Sequence, residues 1–118
     1  MQILEKRTFD RRVFDIDCSE LLDTAETISS VTAITADQGG FTFGTPAVNA
    51  AAVEYPDENR TVAIGKVIQV RIEDGAVPAG KNELLCTIRA RFATSLNPRL
   101  EATVLLRLTD QAGDGCEC

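Results

Sequence analysis

Histidine and tryptophan are missing from this chain, and tyrosine and methionine occur once each. Without histidine there is no imidazole general base, no Ser-His or Cys-His nucleophile pair, and none of the commonest zinc ligand. Most familiar hydrolase designs are thereby excluded. Carboxylates remain, 18 of them, but none stands in a motif that says more than solvated surface, so a glycosidase-type pair finds no particular candidates. Aromatic residues make up only 5 % of the chain, few for a surface that recognises sugars by stacking. No apolar run approaches the roughly 18 residues of a membrane span. The opening Met1-Gln2-Ile3-Leu4-Glu5-Lys6-Arg7 has no hydrophobic signal core. The expectation is a protein made in the cytosol with no membrane partner. A net charge of -6, with arginines spread along the chain, argues against nucleic acid as a partner.

What is present is strand pattern. The 118 residues are 44 % hydrophobic and 25 % charged, the composition of one globular domain. Period-two alternation, which sends successive side chains to opposite faces of a sheet, recurs along the chain. Phe14, Ile16 and Cys18 share one parity against Asp15 and Asp17. The β-branched run from Thr27 to Ala36 is broken by Asp37-Gln38-Gly39-Gly40, and Pro56-Asp57-Glu58-Asn59 reads as a turn. Val62, Ile64, Ile68, Val70 and Ile72 alternate around an interruption at Gly65-Lys66, where a bulge or tight turn divides the run. The clearest strands carry Leu84, Cys86, Ile88, Ala90 and Phe92, and then Leu100, Ala102, Val104, Leu106 and Leu108. Ser19-Glu20-Leu21-Leu22 predicts a single helical turn with Ser19 as its N-cap. Short strands with frequent turns, and no helix long enough for a parallel crossover, predict a sandwich or barrel.

Three stretches carry a family resemblance: Phe14 to Asp17, Glu26-Thr27-Ile28-Ser29-Ser30-Val31, and Glu83-Leu84-Leu85-Cys86-Thr87-Ile88-Arg89-Ala90. With Asp17-Cys18-Ser19-Glu20-Leu21-Leu22 and the strand from Arg99 to Leu108, they resemble the small immunoglobulin-like β-sandwich proteins of tailed-bacteriophage virions. The resemblance covers roughly residues 9 to 109. The chain departs from that pattern in having Asp74-Gly75-Ala76-Val77-Pro78-Ala79-Gly80-Lys81 where a glycine-rich turn is usual, and in its C-terminal Cys116-Glu117-Cys118. The resemblance implies a virion structural component without catalytic residues or cofactor.

The four cysteines fall into two pairs. Cys18 and Cys86 share the inward parity of their strands, so they are either buried free thiols or an inter-sheet disulfide like that of antibody domains. Cys116 and Cys118 follow Asp110-Gln111-Ala112-Gly113-Asp114-Gly115, which has the composition of a flexible extension. Exposed thiols there are candidates for intermolecular disulfides, for incidental free thiols, or for a shared soft metal ion. A four-ligand zinc site would need thiolates from elsewhere, and Asp114 and Glu117 would raise the thiol pKa that a redox enzyme needs lowered. Lys6-Arg7 with Arg11-Arg12 is a basic cluster that would either dock an acidic partner or be a solvated strand end. Arg89, Arg91 and Arg107 lie opposite the core parity, for cross-strand pairing with Glu101 or Glu83.

The combined expectation is a single antiparallel, immunoglobulin-like β-sandwich of about seven or eight strands spanning 9–109, with an N-terminal arm over 1–8 and a flexible tail over 110–118. Its expected role is non-enzymatic: a capsid decoration or linking protein that binds capsid or neighbouring virion proteins, with Cys116 and Cys118 as crosslinks and with homo-oligomers allowed. A neck, collar or tail accessory is the alternative within that class, and an adhesin-like carbohydrate or cell-surface binding module is the alternative outside it.

Overall fold

A computed structural model describes residues 2–109. In chain order its strands are β1 (Ile3–Arg7), β2 (Arg12–Asp17), β3 (Ile28–Ala36), β4 (Phe41–Phe43), β5 (Ala47–Val48), β6 (Val53–Tyr55), β7 (Arg60–Val62), β8 (Val67–Asp74), β9 (Glu83–Thr94) and β10 (Leu100–Thr109). One sheet runs β1-β10-β9-β3; the other runs β2-β8-β4, with β5 also paired to β8. Those eight strands form an all-β sandwich, and β6 and β7 add a small separate hairpin. In immunoglobulin lettering, β3, β9 and β10 occupy the places of C, F and G, while β2, β8 and β4 occupy those of B, E and D.

The alternation read from sequence decides the layers. Cys86, Ile88, Ala90 and Phe92 of β9 and Ala102, Val104, Leu106 and Leu108 of β10 are buried. They meet Phe14 and Ile16 of β2 and Ile68, Val70 and Ile72 of β8 in one core cluster, with Cys86 buried alongside. The run around Gly65-Lys66 divides as expected: Val62 closes β7, Ile64 is exposed, and Gly65 turns the chain at φ 83°. A Cβ at Gly65 would sit 2.9 Å from the Thr27 side chain, so this turn is reserved for glycine on both counts.

Three local expectations change. Residues 3–7, placed in an arm by sequence, form a strand pressed into the sandwich, with Leu4 and Lys6 buried. A lysine on the inward parity hid the alternation. Its stem packs in the core while its ammonium donates to the Arg7 and Asp74 carbonyls at 2.9 and 2.8 Å. Second, β1 runs parallel to β10, from Ile3 opposite Leu105 to Arg7 opposite Thr109, so the sheets are not antiparallel throughout. The chain then turns the corner to the opposite sheet through Thr8 to Arg11, so β1 and β2 lie in different layers and are not a hairpin. Third, the turn Ser19–Leu21 is a 3₁₀ turn whose N-cap is Cys18, without a side-chain cap. Asp17 Oδ1 accepts the Ser19 N–H at 2.9 Å and does the work expected of Ser19.

The loop before β8 is organised by one buried amide. Asn49 Oδ1 accepts the N–H groups of Gly65, Lys66 and Val67 at 3.0, 3.0 and 2.9 Å, while its Nδ2 donates to the Ala51 and Ala63 carbonyls at 2.8 and 3.1 Å. Asn49→Ala removes the acceptor from consecutive buried amides at once. We expect it to lower unfolding free energy by about 2–4 kcal/mol, read from urea denaturation with an unchanged m-value.

Candidate functional site

The interior thiols are the nearest candidates for chemistry. Cys18 and Cys86 are fully buried and free. They stand at opposite ends of the sandwich. Cys18 N–H bonds to the Lys66 carbonyl, Gly65 next to it accepts from Ile28, and Ile28 lies opposite Thr94 at the far end of β9 from Cys86. At about 3.3 Å per residue along β9, the two are roughly 25 Å apart in that direction, against the about 7 Å limit between Cα atoms for a disulfide. Burial, helped by the Asp17 charge, pushes the Cys18 thiol up to about 12, and burial with Asp37 nearby raises Cys86 as well. Both behave as small core hydrophobes. Cys116 and Cys118 lie outside the described residues.

The buried carboxylate is equally committed to structure. Glu26 accepts from Thr94 Oγ1, from Asn97 Nδ2 at 2.7 Å and from the Asp23 N–H at 3.0 Å, and these bonds, Thr94 first, hold its pKa below the usual value of 4.5. Lys66 Nζ sits beside it, donating to the Asp23 and Glu26 carbonyls at 2.8 Å each. This network closes the end of the sandwich where β9 turns into β10. Its bonds tie Glu26, Thr94, Asn97 and Lys66 to one another and to the Asp23 backbone. Among the described residues there is no cluster of three or more His, Cys, Asp or Glu that could hold a metal, and no helix is long and apolar enough to cross a membrane.

The basic cluster is dispersed by the fold. Lys6 points inward, Arg11 stands 3.6 Å from Glu73, and Arg12 donates to the Glu5 carbonyl at 3.1 Å while its guanidinium covers the Phe14 ring at 4.9 Å. No single basic surface results. Phe9, in the turn between β1 and β2, is 82 % exposed, the exception to aromatic residues turned inward.

The outer face of the β1-β10-β9-β3 sheet is different in kind. The register sets Ile3 opposite Leu105, Leu105 opposite Thr87, and Arg107 between Glu5 and Leu85. Ile3 and Leu85 are 50 % and 49 % exposed, and Leu105 is half-buried on the diagonal between them. Arg89, Arg91 and Arg107, scattered in sequence, are gathered on this one face. Arg91 pairs with Glu101 at 2.9 Å as expected, but Arg89 faces Thr103, and Arg107 Nε is buried without a hydrogen-bond partner. The result is a diagonal of partly exposed apolar side chains with Thr87 and Arg107 set among them and further charges around.

No family model, curated protein or solved structure matches this chain. The sandwich's surfaces therefore carry the functional reading. Sequence held one signal for the outer face: Leu85 and Leu105 break the polar parity of otherwise well-behaved strands. Ile3 has no such signal, since Lys6 hides the alternation of its strand.

Two outcomes follow from the interior groups. With iodoacetamide at neutral pH, Cys18 and Cys86 should be labelled only after unfolding, as mass spectrometry of peptides will show. Glu26 has a lowered folded pKa, so its contribution to stability is complete above the unfolded value of 4.5 and is lost as pH falls through the folded value. Glu26→Gln should therefore lose less stability than the parent between about pH 6 and about pH 3 in urea titrations.

Proposed function

We propose that this protein is a non-enzymatic structural protein of a tailed-bacteriophage virion, decorating or linking the capsid by seating the outer face of its four-stranded sheet on a neighbouring subunit. The observation that carries this reading is the partly exposed Ile3, Leu105 and Leu85 diagonal on the sheet's outer face, with Glu5 and Arg107 beside it and Arg89 further along β9. Half-exposed apolar side chains inside a polar rim are the anatomy of a protein interface. The sequence resemblance over residues 9 to 109 supplies the virion context. The buried thiols and the fully engaged Glu26 network support a structural role over a chemical one.

The tail adds a covalent step to this picture. Cys116 and Cys118 come a short stretch after Thr109, whose strand runs along the docking face. A tail thiol and a partner thiol would each give up a hydrogen to dioxygen in the medium after lysis, forming one S–S bond and making a reversible contact permanent.

The test uses particles of the encoding phage grown without this protein. Purified chain should co-sediment with them, and Leu85→Glu, on a side chain already at the surface, should weaken that binding tenfold or more while leaving the circular dichroism spectrum unchanged. Non-reducing electrophoresis of native particles should show a higher-mass band that reduction, or Cys116→Ser with Cys118→Ser, removes. A chain that stays in the supernatant at every concentration defeats the capsid assignment; tight binding by Leu85→Glu defeats the face.

A further inference from the structure

The two long sides of the sandwich are finished differently. On one side β1 and β2 are stitched together: Gln2 Nε2 donates to the Asp15 carbonyl at 2.7 Å, Gln2 Oε1 accepts the Asp17 N–H at 3.0 Å, and Arg12 reaches the Glu5 carbonyl. These strands also carry Glu5, Lys6, Arg7, Arg12, Asp15 and Asp17, the charges that ordinarily keep an edge from pairing with another chain. The opposite side, formed by β3 with β4 and β5, has no such protection along β3. That strand reads Ile-Ser-Ser-Val-Thr-Ala-Ile-Thr-Ala, nine residues without a charge or a proline in a chain that is 25 % charged. Its core-facing Val31, Ile34 and Ala36, like Phe41, Phe43 and Val48 across the gap, are only partly buried.

The two halves of β3 are not equivalent. Bulges between Ile28 and Ser30 and between Val31 and Ala33 irregularise the first half, where the Ser29 and Thr32 hydroxyls donate back to the Ala93 and Arg91 carbonyls and the Ile28 N–H goes to Gly65. The second half is regular, Ala33 to Ala36 lying opposite Arg91 to Ile88. Beyond it the Asp37 N–H bonds to the Thr87 carbonyl at 3.1 Å. Backbone polar groups alternate sides along a strand, so Asp37, Thr35 and Ala33 face β9 while Ile34 and Ala36 direct their N–H and C=O groups away from the sheet. Among the described residues the sheet ends at β3. A row of open donors and acceptors is a template for one more strand.

We infer that β3 is a dimerisation edge: the Ala33–Ala36 half pairs antiparallel with its counterpart in a second copy, across a two-fold axis, making one eight-stranded sheet from two of four. An isologous antiparallel pairing sets the residue on the two-fold axis against its own copy and its immediate neighbours diagonally near theirs, so a charge near the axis would meet a like charge. β3 carries none, although each copy bears a net charge of -6 that favours separation everywhere else. The occupant is thus a second copy, because a self-paired strand is the one that gains most from having no charge. Pairing would also cover the remaining exposure of Val31 and Ile34. The inference stands independently of the virion assignment.

The experiment is sedimentation velocity on the full chain under reducing conditions, which removes any contribution from tail disulfides. The parent should sediment as a dimer in a concentration-dependent equilibrium. Thr35→Lys and Thr35→Glu place a charge on an exposed side chain of the pairing half; each alone should weaken dimerisation tenfold or more, with an unchanged circular dichroism spectrum. Mixed in equal amounts, the two should form a heterodimer with affinity restored towards that of the parent. A parent that is monomeric at millimolar concentration overturns the inference, as does a dimer that both charged variants form as tightly as the parent. Slowed hydrogen exchange at Ile34 and Ala36 that appears only when another virion protein is added would also overturn it, assigning the edge to a foreign strand.

Discussion

The ladder between β9 and β10 is the constraint on which the remaining structure depends. Its register is unbroken from Leu100 opposite Phe92 to Thr109 opposite Glu83, and it places eight buried side chains on one face. A slip of one residue in either strand would turn Arg89, Arg91 or Arg107 into the core and carry leucines and isoleucine outward. Burying an unpaired guanidinium costs far more than any alternative pairing could return. The pair is therefore fixed by its own alternation, and it then offers one edge to β1 and the other to β3. Its inner face gives the second sheet a surface against which Phe14, Ile16, Ile68, Val70 and Ile72 pack.

The ends of the sandwich are governed by a different physics. Where strands stop, backbone groups lose their ladder partners and must find others. At one end Asn49 collects three amides, and Glu26 with Lys66 ties the loop before β3 to the turn after β9. At the other, Lys6 takes the carbonyls of Arg7 and Asp74, with burial lowering its pKa against the opposing pull of Asp10 and Asp74. The hairpin of β6 and β7 is held to the end of β2 by Arg60, which bonds Asp17 at 2.7 Å and covers the Tyr55 ring at 4.7 Å. Buried polar residues here are caps for interrupted sheets.

The legible parts of the sequence were those where polarity and parity agree. β2, β8, β9 and β10 could be read residue by residue because their inward positions are apolar except at strand ends, where Arg12, Asp74 and Thr94 stand, and Gly65 marked its turn because no other residue fits there. β1 could not be read, since Lys6 occupies an inward position and the partner that lets its ammonium be buried there, the Asp74 carbonyl, is far along the chain. Long-range register was invisible for the same reason: parity put Arg89 and Arg107 outward, but nothing near Ile3 says that it will lie beside Leu105 or that Arg107 will lie between Glu5 and Leu85. Cys18 and Cys86 showed their inward parity but not their separation, which depends on where each sits along the sandwich.

The outer face and the β3 edge belong to one sheet but point in perpendicular directions, so using one leaves the other open. Strand pairing at β3 extends the sheet in its own plane and sets the two outer faces side by side. Each face brings its own Ile3, Leu105 and Leu85 centre, and a rigid connection through paired strands costs little further entropy when the second centre docks after the first. A single centre of three half-exposed side chains is a modest interface. Two held at a fixed spacing can bind a repeating surface far more tightly than either alone, and a repeating surface is what a shell of identical subunits presents. Under the two proposals, the absence of charge on β3 and its presence around Leu85 become two parts of one arrangement, the first letting copies meet and the second selecting what the joined face would accept.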